Sequence, residues 1–185
     1  LEETGSVKLY TYNDSFLRPP LVSKCDYDYM TGSQSSNTPL RYELNYRNYF
    51  YVVEGEIKVK LIPPSSSKYL LEEKDYDNFE FKSPINPWNV DEKYKDYEKV
   101  KALDIIVKPG TILYIPPYWW YSIYYTKMSG ICSFKYRTYM NTVTILPERI
   151  MNLLQEQNIK REIVEKVETD KKGKNLEEIL KENNK

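Results

Sequence analysis

From Tyr49 the chain reads with a period of two. Tyr51, Val53, Ile57, Val59 and Leu61 take one parity, and Glu54, Glu56, Lys58 and Lys60 take the other. That period belongs to strands that bury one face, with Glu54-Gly55 at a turn or bulge between them. Pro63-Pro64 followed by three serines ends the pairing, because proline has no N–H to give a ladder. Further on, Ala102 to Val107, the turn Lys108-Pro109-Gly110 and Thr111 to Ile115 make a strand-turn-strand unit. Tyr121 to Tyr125 and Gly130 to Leu146 read as more strands, rich in the β-branched and aromatic residues that fit a pleated surface. Short strands with regular turns predict an all-β sandwich or barrel over residues 41–146.

The flanks read differently. Leu1 to Leu40 mixes apolar pieces (Val7 to Tyr12, Phe16-Leu17) with Arg18-Pro19-Pro20 and the polar stretch Thr31 to Asn37, so loops and short strands packing on the barrel are expected. Residues 65–101 are charged and aromatic and carry Pro84 and Pro87, which predicts an insertion lying over the barrel. Phe79, Phe81, Trp88, Tyr94 and Tyr97 favour order there. Residues 147–185 read as a C-terminal helical segment. Pro147 suits the first helical position, Glu148 suits the helix start, and Ile150, Leu153 and Leu154 form an apolar stripe. A second stripe, Ile159, Ile163, Val164 and Val167, is offset beyond Asn158, giving two short helices or one kinked helix. Lys171 to Lys185, with Leu176, Ile179 and Leu180 as its apolar patch, reads as a tail or a docking helix.

A length of 185 residues suits one compact domain. Lys plus Arg and Asp plus Glu both total 27, so no global field draws the chain to nucleic acid or an anionic membrane. Lys58 with Lys60 and the run Lys171-Lys172-Gly173-Lys174 read as solvated surface. No apolar run has the length of a membrane span and Leu1 to Ser6 is not a signal peptide, so an intracellular protein is expected, and without an initiator Met the chain reads as a fragment. Cys25 and Cys132 lack metal or disulfide spacing and read as core thiols, and Asn13-Asp14-Ser15 reads as a chance glycosylation match. Histidine is absent while tyrosine numbers 19. Without imidazole, Ser-His-Asp and Cys-His nucleophiles, HExxH zinc sites and histidine proton shuttles all fall away.

Asn48 to Pro64, NYFYVVEGEIKVKLIPP, resembles the strand that follows the first metal motif of the JmjC-like cupin dioxygenases. Val107 to Ile123, VKPGTILYIPPYWWYSI, resembles that family's second motif, in which a Pro-Gly turn leads to Ile-Pro and Trp-Trp-His. Ser83-Pro84-Ile85-Asn86 and Tyr94 to Tyr97 sit where the family places an insertion, and the likeness runs from about Leu40 to Leu146. Within the family it is nearest the branch that hydroxylates asparagine in hypoxia-inducible factor. The resemblance implies a double-stranded β-helix, a cupin or jelly-roll barrel. Its members hold Fe(II) with a His-x-Asp/Glu pair and a distal His, leaving room for 2-oxoglutarate and oxygen. Here Trp119-Trp120-Tyr121 puts tyrosine at the distal position. Counting back from Gly55, the first pair falls on Tyr42 and Leu44 or, shifted by one, on Arg41 and Glu43. Neither restores a triad. The family's basic residue for the oxoglutarate carboxylate falls nearest Ile57, with Lys58 beside it on the opposite strand face.

The resemblance therefore implies degenerate metal positions, no metal and no cofactor. A pseudoenzyme with a structural or protein-binding role is expected, with the former active-site cleft and the 65–101 insertion as contact surfaces. Lys58, Tyr114, Trp119, Trp120 and Tyr136 are the residues expected at that cleft. Tyr114, Tyr118, Trp119, Trp120, Tyr121, Tyr124 and Tyr125 have two readings, a stacking platform or aromatic bulk filling a vacated pocket. The helical stripes also have two readings, packing on the barrel or a homodimer face, and some JmjC-like hydroxylases pair through C-terminal helices. Abundant Lys, Asn, Tyr and Ile suit an AT-rich genome, and such proteins occur in large DNA viruses, so a virion-associated structural protein is the specific expectation. Two rivals stand beside it. One is a divergent Fe(II)/2-oxoglutarate hydroxylase using Tyr121 and Glu43 as substitute ligands, and the other is a module for a carbohydrate or aromatic ligand.

Overall fold

The structure, a computed structural model, describes residues 6–44, 47–76 and 78–155. The chain divides into two compact units, residues 1–75 with 80–145 and residues 76–79 with 146–185. Among the described residues of the first, ten strands form two antiparallel sheets. One sheet has four strands in the order β1 (Val22–Gly32), β10 (Ser129–Thr138), β3 (Arg47–Glu54), β8 (Ile112–Ile115). The other has six, in the order β5 (Glu73–Asp75), β6 (Glu80–Lys82), β2 (Arg41–Tyr42), β9 (Trp120–Tyr125), β4 (Ile57–Ile62), β7 (Leu103–Val107). This is the expected mostly-β, cupin-like arrangement. At two tight turns the chain crosses between sheets: β3 and β4 flank the Gly55 turn, and β7 and β8 flank the Pro109-Gly110 turn, yet neither pair shares a ladder. Gly55 holds φ +79 there, where an added Cβ would lie 2.2 Å from Ser129 Oγ, so only glycine makes this crossing.

Between the sheets, Phe50, Val52, Ile115 and Ile131 of the four-stranded sheet meet Ile57, Val59, Leu61, Val107 and Ile123 of the six-stranded sheet. Each such side chain contributes roughly 1.5–3 kcal/mol by leaving water. The parity read across Gly55 is corrected here: Phe50 and Val52 face the interior, while Val53 is exposed and Tyr51 packs on the opposite face. The turn resets the parity, and Tyr49 to Val53 is apolar throughout because most of both faces is covered.

What covers the second face was not expected from the sequence. Residues 6–17, read as loops and short strands, form helix α1 (Ser6–Leu17), and Tyr10 and Leu17 pack with Cys132, Phe134 and Tyr136. Asp14 secures the helix, accepting hydrogen bonds from Tyr27 Oη at 2.5 Å, Tyr136 Oη at 2.8 Å and Arg18 Nε at 2.9 Å. The strand expected over 130–146 also stops early. Thr138 Oγ1 accepts from the Asn141 N–H at 3.2 Å and opens helix α2 (Tyr139–Thr144). Cys25 and Cys132 are free, the first half-buried and the second buried. The segment after Pro63 supplies β5, β6 and two 3-10 turns, Pro64–Tyr69 and Lys95–Lys99.

In the second unit, residues 146–155 are helical, with Pro147 in the first turn. Arg149 lies 4.1 Å over the Phe79 ring, and Asn152 Nδ2 donates to the Tyr76 carbonyl at 2.5 Å. Ile150, Leu153 and Leu154 are exposed. The second stripe (Ile159, Ile163, Val164, Val167), the Lys171 to Lys174 run and Leu176, Ile179 and Leu180 lie outside the described residues. Among the described residues, no helix is long and apolar enough to cross a membrane.

Burial alone would raise the Asp14 pKa, but the hydrogen bonds from Tyr27, Arg18 and Tyr136 outweigh it and hold the carboxyl below its usual range. Its stabilising contribution is present above the unfolded-state carboxyl pKa and is lost as pH falls through the lower folded value. Asp14→Ala is expected to lower stability by about 1–3 kcal/mol. Asp14→Asn should flatten the acid limb of a plot of melting temperature against pH.

Candidate functional site

Strand alternation sorts β9 into two faces. Tyr121, Ile123 and Tyr125 point into the barrel and Trp120, Ser122 and Tyr124 point out, towards the 65–101 insertion. Tyr121 is fully buried and is the register partner of Arg41 on β2. Its hydroxyl donates to Glu43 Oε1 at 2.6 Å. The same oxygen takes Lys135 Nζ at 3.0 Å, and Lys135 also reaches Asp28 Oδ2 at 3.2 Å. The Arg41 guanidinium carbon lies 5.7 Å from the centroid of the Tyr121 ring. Lys135 comes from β10, where it alternates with Phe134 and Tyr136 beneath α1, so its ammonium crosses from one sheet to the other. Its register partner Asn48 and the neighbouring Ser133 are buried beside it, and Asn48 Oδ1, Asn48 Nδ2 and Ser133 Oγ have no hydrogen-bond partner among the described residues.

The charges follow from this packing. Burial, then the Glu43 carboxylate, push the Tyr121 phenol well above its ordinary value, with Arg41 opposing only in part. Tyr121 is thus a neutral donor over the physiological range. Tyr121, and then Glu43, raise the Arg41 pKa against the cost of burial, so the guanidinium stays charged. Glu43 and Lys135 keep 19% and 17% of their side-chain exposure, which shields their attraction from most of the solvent. The cluster is Arg41, Lys135, the Glu43 carboxylate and the Tyr121 phenol, with the more exposed Asp28 carboxylate at its edge, at the polar end of an otherwise apolar interior. It can hold the sheets together and bind hydrogen-bonding groups, and it contains no nucleophile activated by a base.

The expected site residues separate. Arg41, Glu43 and Tyr121 converge. Tyr42 and Leu44 do not: Tyr42 turns outward, stacks on Phe81 at 5.1 Å, meets Trp120 edge-on at 4.7 Å and donates to Glu72 Oε1 at 2.5 Å. Leu44 is buried. The cleft expected from Lys58, Tyr114, Trp119, Trp120 and Tyr136 is not assembled, because strand alternation and separate sheets send them to different faces. Lys58 lies outside the six-stranded sheet, 3.1 Å from Asp104 Oδ2 and 5.6 Å over the Trp88 ring. Trp120 shares that face, donating to Ser67 Oγ at 2.7 Å. Tyr114 packs against Tyr49 at 5.2 Å on the outer side of the four-stranded sheet, where Tyr136 meets Asp14. Trp119 packs against the interior core. Trp88, from the insertion, donates to Ser122 Oγ at 2.8 Å and lies 5.3 Å from the Tyr124 ring.

Sequence reasoning missed Lys135, Asn48 and Ser133. Their signal was the polar parity Ser133, Lys135, Arg137 on β10, which reads as a solvent face unless α1 is known to cover the other side. Among the described residues, no three His, Cys, Asp or Glu side chains group as metal ligands.

A family model described as a cupin-like domain matches residues 28–146, well over half of the chain. Among solved structures, the chain is similar to hydroquinone 1,2-dioxygenase from Sphingomonas sp. TTNP3 with 4-hydroxybenzoate bound, at 11% identity and a TM-score of 0.43. The match covers 63% of this chain and 61% of that one, so this chain spans less than two thirds of that enzyme's length.

Glu43→Ala removes the acceptor that Tyr121 and Lys135 share and is expected to cost about 3 kcal/mol. Tyr121→Phe is expected to cost about 1–2 kcal/mol. Both should move the urea midpoint without changing the slope of the transition. The raised Tyr121 pKa adds stability that is complete below the ordinary tyrosine value and is lost as pH rises through the folded value, so Tyr121→Phe should weaken the alkaline limb of the wild-type stability curve.

Proposed function

The chain belongs to the cupin-like domain family, and from that premise we propose that it is a catalytically degenerate, JmjC-like member with a structural or protein-binding role. One observation carries this reading: Glu43 Oε1 is bonded by Tyr121 Oη and Lys135 Nζ, with the Arg41 guanidinium against the Tyr121 ring. Where the resemblance places Fe(II), the protein's own cations stand beside the Glu43 carboxylate. Guanidinium and ammonium have no lone pair for a metal, the buried Tyr121 hydroxyl keeps its proton, and the two carboxylates near Lys135, Glu43 and Asp28, are both engaged by that ammonium. A divalent ion would also meet two fixed positive charges. These residues do not fit iron. Nor does Lys58 suit the oxoglutarate carboxylate, since it lies on the outer face and is engaged by Asp104.

The finer parts of this reading are the descent from asparaginyl-hydroxylase-like ancestors, a virion-associated setting and self-association through the C-terminal helices. Exposed Ile150, Leu153 and Leu154 support the last of these. A small-ligand reading has one observation in its favour, the unpartnered atoms of Asn48 and Ser133, because buried polar groups ordinarily find a partner. The Tyr/Trp cluster does not add to it, since Trp120 and Tyr121 are fully buried themselves.

Metal analysis of the purified chain and a calorimetric titration with 2-oxoglutarate test the proposal. No stoichiometric iron and no micromolar cosubstrate binding are expected, and either would reverse it. The double variant Arg41→His, Tyr121→His places two imidazoles beside Glu43 and is expected to acquire cobalt(II) binding, seen in its visible absorption, that the wild type lacks.

A further inference from the structure

The 65–101 insertion carries a cleft of its own, well separated in sequence from the interior cluster, with a volume of about 260 Å³. Its two 3-10 turns, Pro64–Tyr69 and Lys95–Lys99, lie against each other. They and their flanks contribute Tyr69, Tyr94 and Tyr97 to the lining, and Leu71 and Ile85 add apolar surface. Three lysines, Lys68, Lys93 and Lys95, line the cleft against a single acid, Asp96. That acid is engaged by Lys99 Nζ at 2.5 Å, and Lys93 pairs with Asp91 at 3.0 Å. Lys68 and Lys95 form no ion pair with another described residue, whereas Lys58, Lys60 and Lys135 do. The ammonium groups also lie over ring faces, Lys68 at 4.9 Å from the Tyr69 centroid and Lys93 at 4.7 Å from that of Tyr94.

A second observation points the same way. Leu71 is held at φ +50, in the left-handed region that costs a branched side chain about 1–2 kcal/mol. It is also 56% exposed, so more than half of its surface stays in water. A strained, exposed apolar residue at a cleft suits contact with something outside the chain. The apolar and aromatic lining calls for a flat apolar body, and the unpaired ammonium groups call for an acid. A neutral sugar would answer neither, and two unpaired lysines on a chain of zero net charge are too few for a nucleic-acid track.

We propose that this cleft binds a small aromatic acid, a planar ring carrying a phosphate or carboxylate, with the ring against Tyr69, Tyr94 and Leu71 and the acid group served by Lys68 and Lys95. The site is independent of whether the barrel interior holds a metal. Phenyl phosphate, phenol and inorganic phosphate, each titrated into the isotopically labelled full chain, test it by amide chemical shifts. Phenyl phosphate is expected to give saturable shifts at Lys68, Tyr69, Leu71, Tyr94 and Lys95, with affinity at least about tenfold above either half-molecule. Lys68→Gln with Lys95→Gln should weaken it about tenfold, the size expected for losing two exposed charge contacts. An unchanged melting temperature would show that the fold is intact, and the single Lys95→Gln serves if the pair is destabilised. Inorganic phosphate or phenol binding as tightly as phenyl phosphate, an unchanged affinity in the lysine variants, or shifts that never localise to the cleft would each overturn the proposal.

Discussion

The contact between Glu43 and Lys135 joins the two sheets at the end of the interior where hydrocarbon packing gives way to charge. Desolvating an ion pair costs about as much as its attraction returns, so the pair matters less for net stability than for which arrangement of strands is tolerated. Any slip of β2 or β10 by one residue would send Glu43 or Lys135 to the outer face and leave its partner stranded. Tyr121 and Arg41 extend the same constraint to β9. The apolar core is permissive of such shifts because its side chains are interchangeable in chemistry. The charged end is not.

Much of the barrel was legible because its strands obey the period of two and its turns use Pro and Gly where the chain leaves one sheet for the other. Helix α1 was not legible. Its sequence, SVKLYTYNDSFL, has no continuous apolar stripe, and the contacts that hold it come from Tyr27 and Tyr136, distant in sequence, converging on Asp14. The misassigned parity of β3 and the invisibility of Lys135 share that origin. Once a helix covers the outside of a sheet, apolar residues no longer mark the inside, and Cys132, Phe134 and Tyr136 face outward while Ser133 and Lys135 face in.

At the candidate site, Tyr121 could be read from its place after Trp119-Trp120, because local spacing fixes it. The choice between Arg41 with Glu43 and Tyr42 with Leu44 could not. It depends on a count carried through the stretch before β3 and across the Gly55 turn, where one residue inverts every face. The structure brings Arg41 and Glu43 to Tyr121, while Tyr42 packs among Phe81, Trp120 and Glu72.

The position of β10 has a further consequence. It lies between β1 and β3, hydrogen-bonded to both, although Ser129 comes 75 positions after Glu54. During synthesis, β1 and β3 emerge long before the strand that must fill the gap between them. Until then each offers an open ladder of N–H and C=O groups to any neighbouring chain. Completion of the four-stranded sheet must therefore await late-emerging residues, so the nascent chain carries its aggregation hazard until residue 138 has left the ribosome.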